Sequence, residues 1–135
     1  NNDLLLKNSE IKIKHSKLIK KINMKFKNKK FDLGLIGVGS DGHIASIFDI
    51  ADVKVRSKKF MIIKRKNENF FRLSHTLSSL LSIPRVILVF RGSKKSEMFY
   101  SSILSINKNP IQYKNIGPIK KFIKLYDNEL IIITN

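Results

Sequence analysis

The residue types best suited to chemistry lie together in one short stretch, F-D-L-G-L-I-G-V-G-S-D-G-H-I-A-S-I-F at residues 31–48. Three glycines, Gly37, Gly39 and Gly42, surround Asp41, and His43 follows directly. Imidazole is the side chain whose charge changes closest to neutral pH. His43 is therefore the chain's best candidate for chemistry, with Asp41 close to it in the loop. The alternative is a simple turn in which Asp41 caps the backbone.

Two predicted elements position this loop. The apolar run Leu33–Ile36, bounded by glycine, indicates a buried strand, and Ile44–Phe48 resembles the first turns of a helix. A strand, a glycine loop and a helix start present free N–H groups to an anion at the carboxyl end of the strand. The glycines allow a ligand to approach the main chain, so the N–H groups of Gly37–Gly42 are candidate donors to an oxyanion.

The spacing Gly37-Val-Gly39-Ser-Asp-Gly42 also matches G-x-G-x-x-G, the dinucleotide-binding fingerprint. That fingerprint needs an acidic residue at the end of a second strand about 20 positions further on. The chain instead has Lys58 and Lys59 there, followed by the run Phe60–Lys64. Dinucleotide binding is therefore disfavoured.

The longer string L-I-G-V-G-S-D-G-H-I-A-S-I-F closely resembles the D-G-H loop of the 6-phosphogluconolactonases, which are related to the glucosamine-6-phosphate deaminases. After D-G-H, lactonases continue with a small residue, Ser, an apolar residue and Phe, whereas deaminases continue A-F-N-E. The run Ala45–Phe48 follows the lactonase pattern and lacks the deaminase Glu. The resemblance implies hydrolysis of 6-phospho-D-glucono-1,5-lactone to 6-phosphogluconate in the oxidative pentose phosphate pathway, with His43 and Asp41 as catalytic residues. A deaminase-like sugar-phosphate isomerase is the alternative.

Two further motifs resemble the phosphate-binding signatures of the same family. The string F-F-R-L-S-H-T-L at residues 70–77 implies that Arg72 binds the substrate's phosphate, and a guanidinium can donate two parallel hydrogen bonds to phosphate oxygens. The string R-G-S-K-K at residues 91–95 implies that Lys95 is a second phosphate-directed cation, although a shift of one position would select Lys94. As a strand, residues 70–77 would place Arg72, Ser74 and Thr76 on one face.

The remaining apolar patterns predict an α/β fold. A helix with an apolar stripe runs from Ile11 to Phe26, and a short helix lies at Leu77–Ile83. Strands are predicted at Phe60–Ile63, Val86–Phe90 and Phe122–Tyr126, in addition to those already named. We therefore expect a Rossmann-like, doubly wound and mostly parallel sheet with helices on both faces.

The end of the chain fits the family less well. The family has a terminal helix after an Asp, and Asp127 would cap it, but Leu130–Thr134 is β-branched and a poor helix former. The resemblance covers residues 31–127 and matches only the second half of a lactonase. We expect residues 1–135 to form a single α/β domain that is the C-terminal half of a lactonase domain or part of a longer polypeptide. The family also implies a glucose-6-phosphate dehydrogenase as the source of the lactone, either fused to the chain or working with it.

Composition excludes some classes of protein. The chain has no cysteine and no signal-peptide pattern, so disulfides are excluded and a cytoplasmic location is expected. Three separated histidines predict no metal site, and no cofactor is expected. The net charge of +17 could indicate a nucleic-acid-binding module. We favour a compositional origin, with neither a nucleic acid nor a membrane as partner, because the lysines are spread along the chain and aromatic residues rarely alternate with them. The same positive field would attract a small phosphorylated lactone.

Overall fold

A computed structural model describes residues 2–49, 58–65, 67–93, 95 and 117–134, with backbone only for residues 2–10. The described elements, in chain order, are α1 (Asn2–Phe26), β1 (Gly34–Gly37), β2 (Phe60–Ile63), β3 (Arg72–His75), α2 (Leu77–Leu81), β4 (Arg85–Phe90), α3 (Gly117–Leu125) and β5 (Glu129–Thr134). Within these residues, no helix is both long enough and apolar enough to cross a membrane.

The main sheet has three parallel strands in the order β1-β4-β5. Gly34 pairs with Val86, and Arg85 pairs with Glu129, so all three strands begin at one edge and end at the other. The predicted α/β fold with a mostly parallel sheet is confirmed. Because parallel strands end together, the loops after β1 and β4 lie side by side at the carboxyl edge.

One face of this sheet carries the hydrophobic core. The fully buried side chains come from β4, from the loop after β1, and from the helices α2 and α3 that cover this face; they include Val86, Leu88, Phe90, Val38, Leu80, Ile119 and Phe122. On the opposite face Leu35 and Ile133 are exposed. The predicted second layer of helices would have to come from outside the described residues.

The strands β2 and β3 form a separate antiparallel pair, in which Phe60 faces His75 and Ile63 faces Arg72. Helix α1 holds this pair through the side chain of Asn23, which accepts from the Phe60 N–H at 2.9 Å and donates to the Phe60 carbonyl at 2.9 Å. The amide of Asn23 thus pairs with the main chain of β2 as a neighbouring strand would.

Near the end of the chain, one sequence prediction about secondary structure is wrong, and the structure answers a question that the sequence left open. The segment Phe122–Tyr126, predicted as a strand, lies in and just after α3. Its buried residues Ile119, Phe122 and Tyr126 follow a helical spacing, and Pro118 stands near the helix start, where its missing N–H costs nothing. The tail Leu130–Thr134, which the family pattern would make helical, is β5, as its β-branched residues favour.

The buried face of β3 and of the residue that follows it carries polar side chains. Ser74 and Thr76 are buried, whereas Leu73 is half exposed. The polar side chains point inward because each satisfies main-chain groups. Thr76 Oγ1 donates to the Lys58 carbonyl at 2.6 Å and accepts from the Ser79 N–H at 3.1 Å, which caps α2.

Candidate active site

The glycine loop begins where β1 leaves the sheet. The N–H of Val38 still donates to the Val89 carbonyl of β4 at 3.0 Å, which fixes the start of the loop at the carboxyl edge. Gly39 N–H then donates to the His43 carbonyl at 2.9 Å, and Gly42 N–H donates to the Gly39 carbonyl at 3.0 Å. These bonds close residues 39–43 into a tight turn that presents Asp41 and His43 together.

Asp41 and His43 form the pair that the sequence predicted. His43 Nδ1 lies 2.5 Å from Asp41 Oδ1, and the His43 N–H donates to the same oxygen at 3.2 Å. Partial burial raises the pKa of Asp41, but the hydrogen bonds from the His43 ring and main chain outweigh it, and the net pKa is lowered. The carboxylate is therefore ionised at neutral pH, and we assign the proton of the neutral ring to Nδ1. Nε2 then carries the lone pair that a general base needs.

The glycines of the loop have packing roles that the sequence did not reveal. A Cβ at Gly39 would overlap the His43 ring and the Asp41 carboxylate, so only glycine leaves room for the pair. Gly42 has φ of +77°, in the left-handed region, and is buried against the start of α3. Gly37 is exposed at the end of β1, with nothing within 4 Å of where its Cβ would lie.

The start of helix α3 contacts the main chain of the loop. The Ile119 N–H donates to the Gly42 carbonyl at 3.0 Å. A Cβ on Gly117 would lie 2.7 Å from the Asp41 carbonyl oxygen, so the two backbones touch directly. Contacts with the N-terminal turn of α3 therefore fix the position of the turn that carries Asp41 and His43.

The segment after His43 is not the helix that the sequence predicted. Ile44 and Ile47 close a turn through the Ile47 N–H to Ile44 carbonyl bond at 2.8 Å, and Ala45 adopts a positive φ of 51°. The Ser46 N–H donates to Ser74 Oγ at 3.0 Å, which ties this turn to β3. Ile44 and Ile47 are fully buried, and their burial holds the turn against the core. An anion site at a helix start is therefore not formed by residues 44–48.

Phe48 connects the histidine to a group of charged side chains. Its ring lies 4.5 Å from the His43 ring, measured between centroids, and 5.7 Å from the guanidinium carbon of Arg72. Arg72 begins β3, and its Nε and Nη2 each donate to a carboxylate oxygen of Glu68 at 2.8 Å. The hydrogen bonds to Glu68 raise the pKa of Arg72, and their effect is larger than the lowering that burial causes. Arg72 therefore contacts the same aromatic ring as the histidine, and its guanidinium is already bound to a carboxylate.

Lys95 lies shortly after β4, and its N–H donates to the Gly92 carbonyl at 2.9 Å. It follows the carboxyl end of a strand adjacent to β1, so it belongs to the same edge of the sheet as His43. No contact in the described part of the chain joins Lys95 to Arg72 or to the histidine. The side chain of Lys94 lies outside the described residues.

The sequence analysis missed three of these features. Arg65 lies with its guanidinium carbon 4.0 Å from the centroid of the Phe48 ring, and Glu68 accepts from Arg72. Gly117 supports the turn from a position more than seventy residues later in the chain. A Gly-Pro pair at a helix start is a visible signal for Gly117, but nothing in the local pattern indicates its contact with the loop.

One family model covers most of the chain. The family model described as glucosamine-6-phosphate isomerases/6-phosphogluconolactonase matches residues 6–124. A search of curated proteins found no match.

Solved structures share the fold. A 6-phosphogluconolactonase from Trypanosoma cruzi is 24% identical with a TM-score of 0.60, and the match covers 78% of this chain and 39% of that one. One from Shewanella baltica OS155 is 15% identical with a TM-score of 0.69, covering 85% and 49%. A monomeric glucosamine-6-phosphate deaminase is 16% identical with a TM-score of 0.61, covering 87% and 51%. The chain thus spans about half the length of these structures or less.

At these identities the structural likeness establishes the fold, and the family model, which matches most of the chain, establishes the family. The chain belongs to the family of glucosamine-6-phosphate isomerases and 6-phosphogluconolactonases.

Proposed function

We propose that this chain carries the catalytic pair for hydrolysis of 6-phospho-D-glucono-1,5-lactone to 6-phosphogluconate. The observation that supports this most directly is the 2.5 Å contact between His43 Nδ1 and Asp41 Oδ1 in a loop at the carboxyl edge of a parallel sheet. An ionised Asp41 favours the tautomer of His43 whose Nε2 can accept a proton. About a third of the His43 side chain is exposed, so a water molecule can reach it.

The proposed reaction proceeds in two steps. Nε2 of His43 removes a proton from water while the water oxygen bonds to the lactone carbonyl carbon, and the carbonyl oxygen becomes an oxyanion. When the intermediate collapses, the bond from that carbon to the ring oxygen breaks, and the imidazolium returns the proton to the ring oxygen. The positive charge on the imidazolium is stabilised by Asp41, as in other histidine–carboxylate pairs.

The oxyanion needs hydrogen-bond donors, and the loop limits which main-chain groups can serve. The N–H groups of Gly39, Gly42 and His43 all donate within the loop. The N–H of Ser40 has no such partner among the described residues, so we propose it as the donor from this segment. For the phosphate we propose Arg72 and Lys95, one beside Phe48 and the other after β4.

The lactone is favoured over an amino sugar phosphate because of the residue at position 48. When Ala45 is aligned with the Ala of the deaminase pattern A-F-N-E, Phe48 stands where that pattern has its Glu. The Phe48 ring packs at 4.5 Å from the histidine ring, so an apolar group faces the base where a deaminase carries a carboxylate. The side chain at position 48 therefore cannot act as a general acid or base.

The test is substrate discrimination by the full-length protein. We expect hydrolysis of 6-phosphogluconolactone above its spontaneous rate and no ammonia release from glucosamine-6-phosphate. Ammonia release without lactone hydrolysis would overturn the proposal. We further propose that residues 1–135 act as part of a larger lactonase domain, supplied with lactone by a glucose-6-phosphate dehydrogenase, and copurification or fusion with that enzyme would support the partnership.

A further inference from the structure

Two arginines that contact Phe48 share one carboxylate. Arg72 donates to both oxygens of Glu68 at 2.8 Å, and Arg65 Nη1 lies 3.6 Å from Glu68 Oε1. The Glu68 side chain is 17% exposed, so this ion pair is more enclosed than a typical surface pair. A planar guanidinium that binds a carboxylate through two parallel bonds can bind two phosphate oxygens in the same way.

Both guanidiniums also contact the aromatic ring that touches the histidine. The guanidinium carbon of Arg65 lies 4.0 Å from the Phe48 centroid, and that of Arg72 lies 5.7 Å from it. Phe48 in turn lies 4.5 Å from the His43 ring. The two guanidiniums and the proposed base therefore all contact one aromatic ring.

We infer that Arg65 binds the phosphate together with Arg72, and that Glu68 occupies the site in place of the phosphate until a substrate arrives. The inference deepens the proposed function, since the ligand it assigns is the phosphate monoester of the sugar lactone. A phosphate offers three acceptor oxygens and nearly two negative charges, whereas Glu68 offers two oxygens and one charge. The phosphate can therefore displace Glu68 from two arginines at once.

This competition has a second consequence. Glu68 keeps the two guanidiniums ordered and close together without ligand, although their positive charges repel each other. Because Glu68 must leave the guanidiniums before an anion can take its place, it lowers the affinity of the site for every such anion.

The test measures binding of inorganic phosphate to the full-length protein by calorimetry, so it does not depend on turnover. We expect Glu68→Gln to tighten phosphate binding by about tenfold, the effect of losing one charge-assisted competitor. Arg65→Ala should weaken phosphate binding by about tenfold, because it removes a charged hydrogen-bond donor to the phosphate. Glu68→Ala serves as a second variant, and the urea midpoint of each protein shows whether it is folded.

The ion pair between Arg85 and Glu129 provides matched controls at the opposite edge of the sheet, with Arg85 Nε 2.7 Å from Glu129 Oε2. Glu129→Gln and Arg85→Ala make the same charge changes as the test variants and should leave phosphate affinity unaltered. Equal effects from the control variants, or no change in Glu68→Gln and Arg65→Ala, would overturn the inference. If the phosphate effects appear but the lactone is not hydrolysed, the anion site stands and the proposed function falls.

Discussion

The chemistry proposed for this chain depends on a contact between two side chains only two residues apart. His43 and Asp41 are in contact because Gly39 has no side chain to occupy their space and because main-chain hydrogen bonds close the turn. The lowered pKa of Asp41 keeps its carboxylate charged, which sets the tautomer of the imidazole. A pair of this kind acts as a unit, so changing either member affects the same step.

Asp41→Asn tests the orienting role. An amide at position 41 can donate to Nδ1 and would favour the tautomer with its proton on Nε2, which cannot accept a proton from water. We expect kcat to fall by about 100-fold with little change in KM, on the scale of general-base effects. Steady-state kinetics measure both constants. Asp32→Asn, at an exposed position before β1, is the control, and a kcat for Asp41→Asn equal to that of the control would contradict the assignment.

The phosphate contacts are tested by comparing two substrates. Arg72→Ala and Lys95→Ala should raise KM for 6-phosphogluconolactone by about tenfold or more, because each removes a charge-assisted bond to the phosphate. KM for glucono-δ-lactone, which lacks the phosphate, should change little. Lys94→Ala decides the register, and a larger effect from Lys94 than from Lys95 would move the assignment by one position.

At the scale of elements, the site depends on the start of α3. Gly117 touches the main chain of Asp41 and Gly42, and Ile119 donates to Gly42, so the helix and the loop move together. The core residues Ile119 and Phe122 anchor this helix under the sheet. The position of the proposed catalytic pair is thus set by packing between two segments far apart in sequence.

Gly117→Ala tests this support. The new methyl group would lie 2.7 Å from the Asp41 carbonyl oxygen, so backbone must shift. We expect a loss of about 1–3 kcal/mol in the free energy of unfolding, typical of overpacking, together with a reduced kcat. Gly37→Ala is the steric control for stability, since nothing lies within 4 Å of its Cβ position. Unchanged stability and kcat in Gly117→Ala would show that the contact does not position the loop.

The comparison of sequence and structure is also clearest at this scale. The Asp41–His43 pair could be predicted because both residues lie in one local motif, and β2, β4 and α2 followed from apolar runs and a proline stop. The helix that contains Phe122–Leu125 could not be recognised from a five-residue window, in which four of the five residues are apolar as in a buried strand. The turn at Ile44–Phe48 replaced a helix because tertiary burial of Ile44 and Ile47 outweighs local preference. Glu68 and Arg65 were not found because their role depends on contacts with Phe48 and Arg72.

At the scale of the whole molecule, the net charge and the titration of one histidine determine how the protein responds to salt and to pH. The net charge of +17 gives a positive field that attracts phosphorylated substrates and is screened by salt. His75 lies in a largely apolar setting, and its pKa is shifted. His75 packs 4.4 Å from the Phe60 ring, and its Nδ1 lies 3.1 Å from Ser79 Oγ.

His75 makes stability depend on pH. Burial lowers its pKa, and the nearby charge of Lys59 lowers it further. Below a pH of about 6.5 the unfolded chain binds a proton that the folded chain binds less readily, so the free energy of unfolding should fall on acidification. Urea unfolding at about pH 7.5 and pH 5.5, on either side of the ordinary histidine value, measures this loss. His75→Gln should reduce it, and an equal loss in the variant would assign the effect to other groups.

The most direct test of the account is the effect of His43→Gln on hydrolysis of 6-phosphogluconolactone by the full-length protein. Glutamine keeps a polar side chain of similar size but cannot accept a proton from water at neutral pH. The account predicts a fall in kcat of about 100-fold or more, as expected when a general base is removed. His15→Gln, a change in α1 where the ring packs on Phe71, should leave kcat unchanged. A His43→Gln protein that hydrolyses the lactone at the parent's rate would contradict the central claim.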